Sequence, residues 1–137
     1  SELQWDPSPA LSVSVSYLFA RARVDEAPAN RALEGLDLPQ SPRHQVTAQA
    51  RYTGPGRLRL SLQARGSGRQ FDDDQNLLPL RGYGVVDALA TMPLARRFDV
   101  FVAGENILNR SYATGRSGVT TIGAPRAWRA GVRYGFR

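Results

Sequence analysis

The sequence has no cysteine, one histidine and one methionine, and none of its 18 basic residues is lysine. Without cysteine there is no disulfide framework, no thiolate nucleophile and no cysteine-ligated metal. With His44 alone, a multi-histidine metal site is excluded. No run approaches the roughly 18 consecutive apolar residues of a membrane helix. No secretory signal is legible at the start. The opening SELQW lacks an initiator methionine and reads as the tail of a strand. The 137 residues amount to one domain, and they read as a piece of something longer or as a processed product. The arginines outnumber 12 acids and leave a net charge of +6. Such an excess suits nucleic acid, an anionic ligand or an anionic membrane surface.

What is present is a period of two. Along residues 57–65, Leu58, Leu60, Leu62 and Ala64 alternate with Arg57, Arg59, Ser61, Gln63 and Arg65. Along residues 43–53, Val46, Ala48, Ala50 and Tyr52 alternate with Gln45, Thr47, Gln49 and Arg51. Residues 10–24 set Leu11, Val13, Val15, Tyr17 and Phe19 against serines. At the end of the chain Trp128, Ala130, Val132, Tyr134 and Phe136 alternate with Arg129, Gly131, Arg133, Gly135 and Arg137. Such alternation predicts strands with one apolar face. Residues 82–92 and 98–108 also read as strands, with a less regular pattern, and one short helix is expected within 29–36. The count is six strands and a fragment of a seventh.

The connections carry the second signal. Residues 6–9, 54–56 and 93–97 read as short turns rich in proline and glycine. Between them lie longer polar connections at 25–42, 70–79 and 109–124. Short and long alternate strictly, so a meander of these strands has one tight end and one elaborated end. With strands of about ten residues, this is the pattern of an outer-membrane β-barrel, whose apolar face meets lipid and whose polar face lines a wet lumen. Tyr52, Phe98, Tyr134 and Phe136 fall on the apolar face near the tight end, where an interfacial girdle belongs. The expected fold is all-β, an antiparallel up-and-down meander of about six to seven strands forming part of a larger transmembrane barrel.

Arg51, Arg57, Arg59, Arg65, Arg129 and Arg133 share the polar face. Arginine facing lipid at the bilayer midplane costs roughly 2–4 kcal/mol, and facing a lumen it costs little. A binder of nucleic acid would interleave its basic residues with stacking aromatics on one face. Here the two take opposite faces, so nucleic acid is not the expected partner.

The segment from Gly82 to Tyr112, GYGVVDALATMPLARRFDVFVAGENILNRSY, carries Tyr83, Val86-Asp87, Glu105-Asn106-Ile107-Leu108-Asn109 and Tyr112. It resembles the C-terminal barrel of TonB-dependent outer-membrane receptors, where a strand bearing Tyr and Val-Asp is followed by a short turn and a strand ending in Glu-Asn-hydrophobic-hydrophobic-Asn. Gly123-Ala124-Pro125-Arg126, Gln70 to Asp73 with Asn76, and Pro39 to His44 are similar to further family patterns, so the resemblance covers residues 1–137 and is strongest from Pro39 onward. It implies a receptor taking up a scarce nutrient across the outer membrane of a Gram-negative bacterium with energy delivered through TonB. The cargo it implies is a small-molecule metal chelate, a ferric siderophore first, with cobalamin, haem or a glycan as alternatives. The gating plug and the TonB-engaging segment have no counterpart here, so the chain alone is expected neither to transport nor to fold stably in a membrane. Val132, Tyr134 and Phe136 resemble the terminal signal read by the barrel-assembly machinery, although Arg137 follows where the family usually ends on the aromatic.

Within that frame Glu105, Asn106, Asn109 and Tyr112 are strand-end residues, with Glu105-Asn106 expected to tie neighbouring strand ends and shape the rim. Arg65, Arg69, Arg116 and Arg129 are the candidate ligand contacts, through charge and bidentate hydrogen bonds. The competing expectation is a hydrated wall in which these arginines pair with acids of adjacent strands. Asp72-Asp73-Asp74 could hold a hard cation, but it lacks the glycine and spaced acids of an EF-hand and reads first as a solvated loop. His44, at a strand entry, reads as structural. No nucleophile elbow or phosphate loop is present, so no catalytic residue and no cofactor are expected. The rival folds are a soluble all-β ligand-binding protein and a small outer-membrane structural barrel.

Overall fold

In the computed structural model, which describes residues 1–135, the alternating segments pair in chain order. The strands are β1 (Glu2–Ser8), β2 (Leu11–Phe19), β3 (His44–Thr53), β4 (Arg59–Ser67), β5 (Gln70–Phe71), β6 (Pro79–Leu80), β7 (Tyr83–Ala95), β8 (Phe98–Glu105), β9 (Ala113–Gly115), β10 (Thr121–Ile122) and β11 (Ala127–Tyr134). Seven of them form one antiparallel sheet in the order β1-β2-β3-β4-β7-β8-β11. β5 with β6, and β9 with β10, are two-stranded hairpins within the long connections. β1 and β11 lie at opposite edges, so the sheet is open.

The register converts the alternation into two faces. Val13, Ala50, Leu62, Ala88, Gly104 and Trp128 stand opposite one another strand by strand, and so form one row. The next row is Ser12, Arg51, Ser61, Leu89, Ala103 and Arg129. Successive strand residues point to opposite faces, so the first row belongs to an apolar face and the second to a polar one. Leu89, with Val85 and Phe101 in other rows, adds large apolar side chains to the polar face.

No core forms under the apolar face. Among the described residues the buried hydrophobics are Leu80 and Val85, while Leu62, Val102, Trp128 and Val132 are 46–62% exposed. A soluble sandwich would turn these rows inward against a second sheet. Here they make one continuous uncovered surface, far beyond the scattered apolar side chains normal on a soluble protein.

The tight end is shorter than the sequence implies. β1 runs through Asp6, Pro7 and Ser8, with a register shift between Trp5 and Ser8, so it is a full strand and the turn is residues 9–10. β7 likewise runs on to Ala95, past Pro93, leaving residues 96–97 as the turn. A register shift lies between Pro93 and Ala95, the kind of irregularity where proline, which donates no backbone hydrogen bond, is tolerated. Between β3 and β4, Gly56 takes φ +66° within a short 3-10 turn. The expected helix at 29–36 is a single 3-10 turn, Arg31–Leu33, capped by Asn30. Ala29, Ala32, Leu33 and Leu36 repeat at helical spacing, but the backbone turns extended at Glu34 and Gly35 takes φ +81°, which ends the turn.

Tyr52, Phe98 and Tyr134 are at the tight end of the apolar face, with the Phe98 and Tyr134 rings 4.9 Å apart. Tyr17, Phe19 and Trp128 stand at the opposite end, all more than 40% exposed. Phe136 and Arg137 lie outside the described residues. The three long connections, residues 20–43, 68–82 and 106–126, all leave from this second end.

Candidate functional site

Among the described residues the polar face carries three ion pairs. Arg65 of β4 donates to Asp87 of β7 at 2.8 Å. Arg129 of β11 pairs with Glu105 of β8. At the tight end Arg59 reaches across β7 to Asp99 of β8 at 3.4 Å. Each arginine stands near an acid because strand register brings them together, not because they are close in sequence. Arg65, Asp87, Glu105, Arg129, Arg133 and Phe101 line a groove of about 720 Å³. These pairs are exposed, and exposed pairs contribute about 0–1 kcal/mol each. Their role is to place charge along the wall.

Asn106 closes the loop end of that groove. Its side chain is buried, 4% exposed, and its φ is +46°. Nδ2 donates to the carbonyls of Arg110 at 2.8 Å and Ala124 at 2.9 Å. Oδ1 accepts from the Arg110 N–H at 2.9 Å. The Asn106 N–H donates to Asp87 Oδ1 at 2.8 Å. One side chain thus ties both ends of the 106–126 connection, and its backbone ties that connection to β7. Asparagine suits the position because it tolerates a left-handed backbone and both donates and accepts. Asn109, also left-handed at φ +52°, accepts from the Arg126 N–H at 3.3 Å. Tyr112 stacks on Tyr83 with centroids 4.1 Å apart and planes 18° from parallel. Gly123 lies against the Tyr112 ring, where a Cβ would overlap it.

A second knot joins all three long connections. Asp72 Oδ2 accepts the N–H groups of Arg116 at 2.6 Å and Ser117 at 2.7 Å. Asp72 Oδ1 accepts from Gln40. Gln40 also accepts from Gln70 at 3.1 Å and donates to the Thr114 carbonyl at 3.3 Å. Asn76 grips the backbone of Asp37 from both sides, accepting its N–H at 2.9 Å and donating to its carbonyl at 2.8 Å. Asp37 itself receives both Arg43, at 2.9 Å, and Arg23, at 3.1 Å.

These carboxylates titrate below their ordinary range. Asp72 is lowered first by the Arg116 N–H, then by that of Ser117, with Gln40 adding to them against some desolvation. For Asp73 desolvation pushes upward, and the N–H groups of Leu77 and Leu78 outweigh it. Asp37 is lowered chiefly by the Arg43 hydrogen bond, against desolvation, with Arg23 adding to it.

The four candidate ligand arginines fall into two places. Arg65 and Arg129 share the groove on the wall, each bound to an acid. Arg69 and Arg116 line a separate hollow of about 680 Å³ among the loops, together with Arg81 and Tyr112. Arg69 stacks over the Phe71 ring at 5.2 Å, and Arg116 donates to the Pro79 carbonyl at 3.1 Å. Sequence reasoning missed Arg81 in that hollow, and it missed Gln40 as a junction between loops. Of the acidic triplet, Asp73 spends both oxygens on backbone N–H groups, and Asp72 spends one on backbone N–H groups and the other on Gln40. Among the described residues no group of three His, Asp or Glu side chains is placed to hold a metal. His44 Nδ1 lies 2.7 Å from the Tyr17 hydroxyl, and its ring packs against Phe19 at 5.2 Å.

The family model described as "TonB dependent receptor-like, beta-barrel" matches residues 1–107. Among solved structures, the ferric yersiniabactin uptake receptor FyuA from Yersinia pestis superposes with TM-score 0.85 at 20% identity, covering 99% of this chain and 23% of that one. The siderophore receptor PiuA from Acinetobacter baumannii superposes with TM-score 0.80 at 17% identity, covering 97% and 20%. The ferric-catecholate import receptor Fiu from E. coli superposes with TM-score 0.79 at 22% identity, covering 98% and 20%. At these identities the likeness is one of fold, and the chain spans between a fifth and a quarter of the length of these receptors. No curated protein matches the sequence.

Proposed function

Because the chain belongs to the TonB-dependent receptor β-barrel family, we propose that it supplies seven neighbouring strands to the wall of a larger outer-membrane barrel in a receptor for active nutrient uptake. The observation that carries this reading is the uncovered apolar face: strand by strand, the rows that would be a core in a soluble protein face outward. In an outer-membrane barrel, lipid covers such a face without a second protein layer. An open sheet edge is not tolerated in lipid, so β1 and β11 pair with further strands of the same barrel. Barrels of this kind have about 22 strands around a plugged lumen.

The cargo in this reading is a ferric siderophore, in keeping with structural neighbours that include an uptake receptor for ferric yersiniabactin, an import receptor for ferric catecholates and a ferric citrate transporter. The plug and the contact with TonB belong to other parts of the receptor. The role is transport, and the polar groove contributes charge and hydrogen bonding to the lumen. Arg69, Arg81 and Arg116 supply cations to the loop hollow, where an anionic chelate would first meet the protein. The edge strand β11, with Val132 and Tyr134 on its lipid side, presents the assembly signal to the barrel-assembly machinery.

An antibody raised against residues 112–125 tests the reading on fractionated membranes, with and without heating. A large, heat-modifiable outer-membrane band supports it. A soluble band of the size of this chain alone overturns it.

A further inference from the structure

The lipid side of the sheet is not uniform. Near the loop end lies a groove of about 710 Å³ whose floor is small, with Ala48 of β3, Ala64 and Gly66 of β4, and Gly84 of β7. Val46 and Leu108 flank it. Gly66 and Gly84 are register partners. A Cβ on Gly84 would meet only the Arg65 carbonyl, at 3.9 Å, so the space above it is open. The next rows towards the tight end carry a smaller, almost wholly apolar channel of about 360 Å³ between Ala50, Leu62, Ala88, Val102 and Trp128. From Val46 to Tyr52 the track is about 20 Å long at a strand's rise per residue, enough for an extended acyl chain.

The loop end of this track is cationic. Arg110 lines it, and its backbone is held in both directions by the buried Asn106. Arg126 joins the same knot through its N–H on Asn109 Oδ1. It stands one residue before Ala127, where β11 begins against Glu105 of β8. Among the described residues lining the groove none is acidic. The nearby acids Asp87 and Glu105 are on the opposite face and engaged by Arg65 and Arg129. An apolar track in the hydrocarbon layer, headed by two arginines at the level where the strands leave it, is complementary to a lipid with an uncompensated phosphate.

We propose that this groove is a binding site for one anionic, phosphate-bearing lipid, with an acyl chain along Ala48, Ala64, Gly66 and Gly84 and the headgroup on Arg110 and Arg126. The site rests on the membrane reading above. Holding a lipid here would brace the Leu108–Ser111 overhang, which is part of the connection that Asn106 ties to the wall.

The test uses the native receptor that carries this chain, purified from outer membranes and placed in nanodiscs containing phosphatidylglycerol and phosphatidylcholine of identical acyl chains in equal amounts. Lipids retained through delipidation are counted by mass spectrometry, and heat-modifiable migration is followed in the same samples. The native protein retains phosphatidylglycerol preferentially, and each arginine lost in Arg110→Gln and Arg126→Gln lowers that preference about fivefold. Arg110→Lys with Arg126→Lys keeps most of it. Gly84→Leu fills the track and lowers retention of both lipids. Equal retention of the two lipids, or a preference that survives loss of both arginines or the Gly84→Leu filling, overturns the site while a heat-modifiable band keeps the membrane reading intact. Absence of that band from the native protein overturns the membrane reading and the site with it.

Discussion

Asp87 accepts the backbone N–H of Asn106 on Oδ1 and the guanidinium of Arg65 on Oδ2, each at 2.8 Å. One carboxylate therefore couples the lumen wall to the rim. The two bonds are unequal in consequence. Arg65 is largely exposed, so Arg65→Ala costs at most about 1 kcal/mol. Asp87→Ala leaves the part-buried Asn106 N–H unsatisfied and costs about 1–3 kcal/mol. Urea unfolding of the intact receptor in detergent, with both variants side by side, checks the order. Equal effects would mean that the rim bond contributes nothing.

Asn106→Ala removes three side-chain hydrogen bonds and places alanine at φ +46°. The cost is about 3 kcal/mol, felt locally as release of the 106–126 connection. Asn106→Asp does no better, because it turns a carboxylate towards the carbonyls of Arg110 and Ala124. Trypsin cleavage at Arg110, Arg116 or Arg126 should accelerate in both variants. In Asn109→Ala, which loses one longer bond of 3.3 Å, the rate should change much less.

Gly123 has no room for a side chain beside Tyr112. Gly123→Ala must displace a ring that stacks on Tyr83 at 4.1 Å, at an overpacking cost of about 1–3 kcal/mol. A double-mutant cycle on Tyr83→Leu and Tyr112→Leu should return a coupling of about 0.5–1.5 kcal/mol. Zero coupling would remove the stack from the energetics of the rim.

The loop knot should be insensitive to pH until strongly acidic conditions. The folded-state values of Asp37, Asp72 and Asp73 all lie below the reference of 3.8. A depressed carboxylate contributes stability that is fully present above the unfolded value and is lost as pH falls through the folded one. Hydrogen exchange at the Arg116 and Ser117 amides, corrected for its intrinsic pH dependence, should show constant protection from pH 8 to 5 and loss of it below 3.8. Asp72→Asn should shift that loss or abolish it. Protection lost already near pH 6 would contradict the assignment of these carboxylates as the ties.

Neighbouring residues of β4 should respond oppositely to the same substitution. Leu62 is in the apolar row and Gln63 on the polar face. Leu62→Arg should cost about 2–4 kcal/mol if the row lies at the bilayer midplane, and Gln63→Arg little. Refolding into liposomes and urea titration reads both. A costly Gln63→Arg with a tolerated Leu62→Arg would invert the sheet.

The faces of β2, β3, β4 and β11, the strict alternation of short and long connections, and the direction in which each strand runs were legible in the sequence. A period of two and the clustering of proline and glycine are local properties, and a strand's side-chain geometry is local too. The boundaries that failed did so where hydrogen bonding to a neighbour overrode local composition. Pro7 reads as a turn, yet β1 carries past it, through a register shift, to Ser8 paired with Leu11 of β2. Pro93 reads as a turn, yet β7 carries past it to Ala95 against β8.

What only the tertiary structure decided is which charged and hydrogen-bonding groups meet. Arg65 with Asp87, Arg129 with Glu105, and Asp72 with Arg116 are separated by 22, 24 and 44 residues. Each pair depends on strand register or on the folding together of two loops, and a one-residue slip in register would send its members to opposite faces. Asn106 shows the same division. The residue stood out in its sequence pattern, but that it is buried, and that it holds the carbonyls of both Arg110 and Ala124, follows from where the chain returns after β8. Local chemistry determined the wall of this protein, and the long-range return of the chain determined its rim.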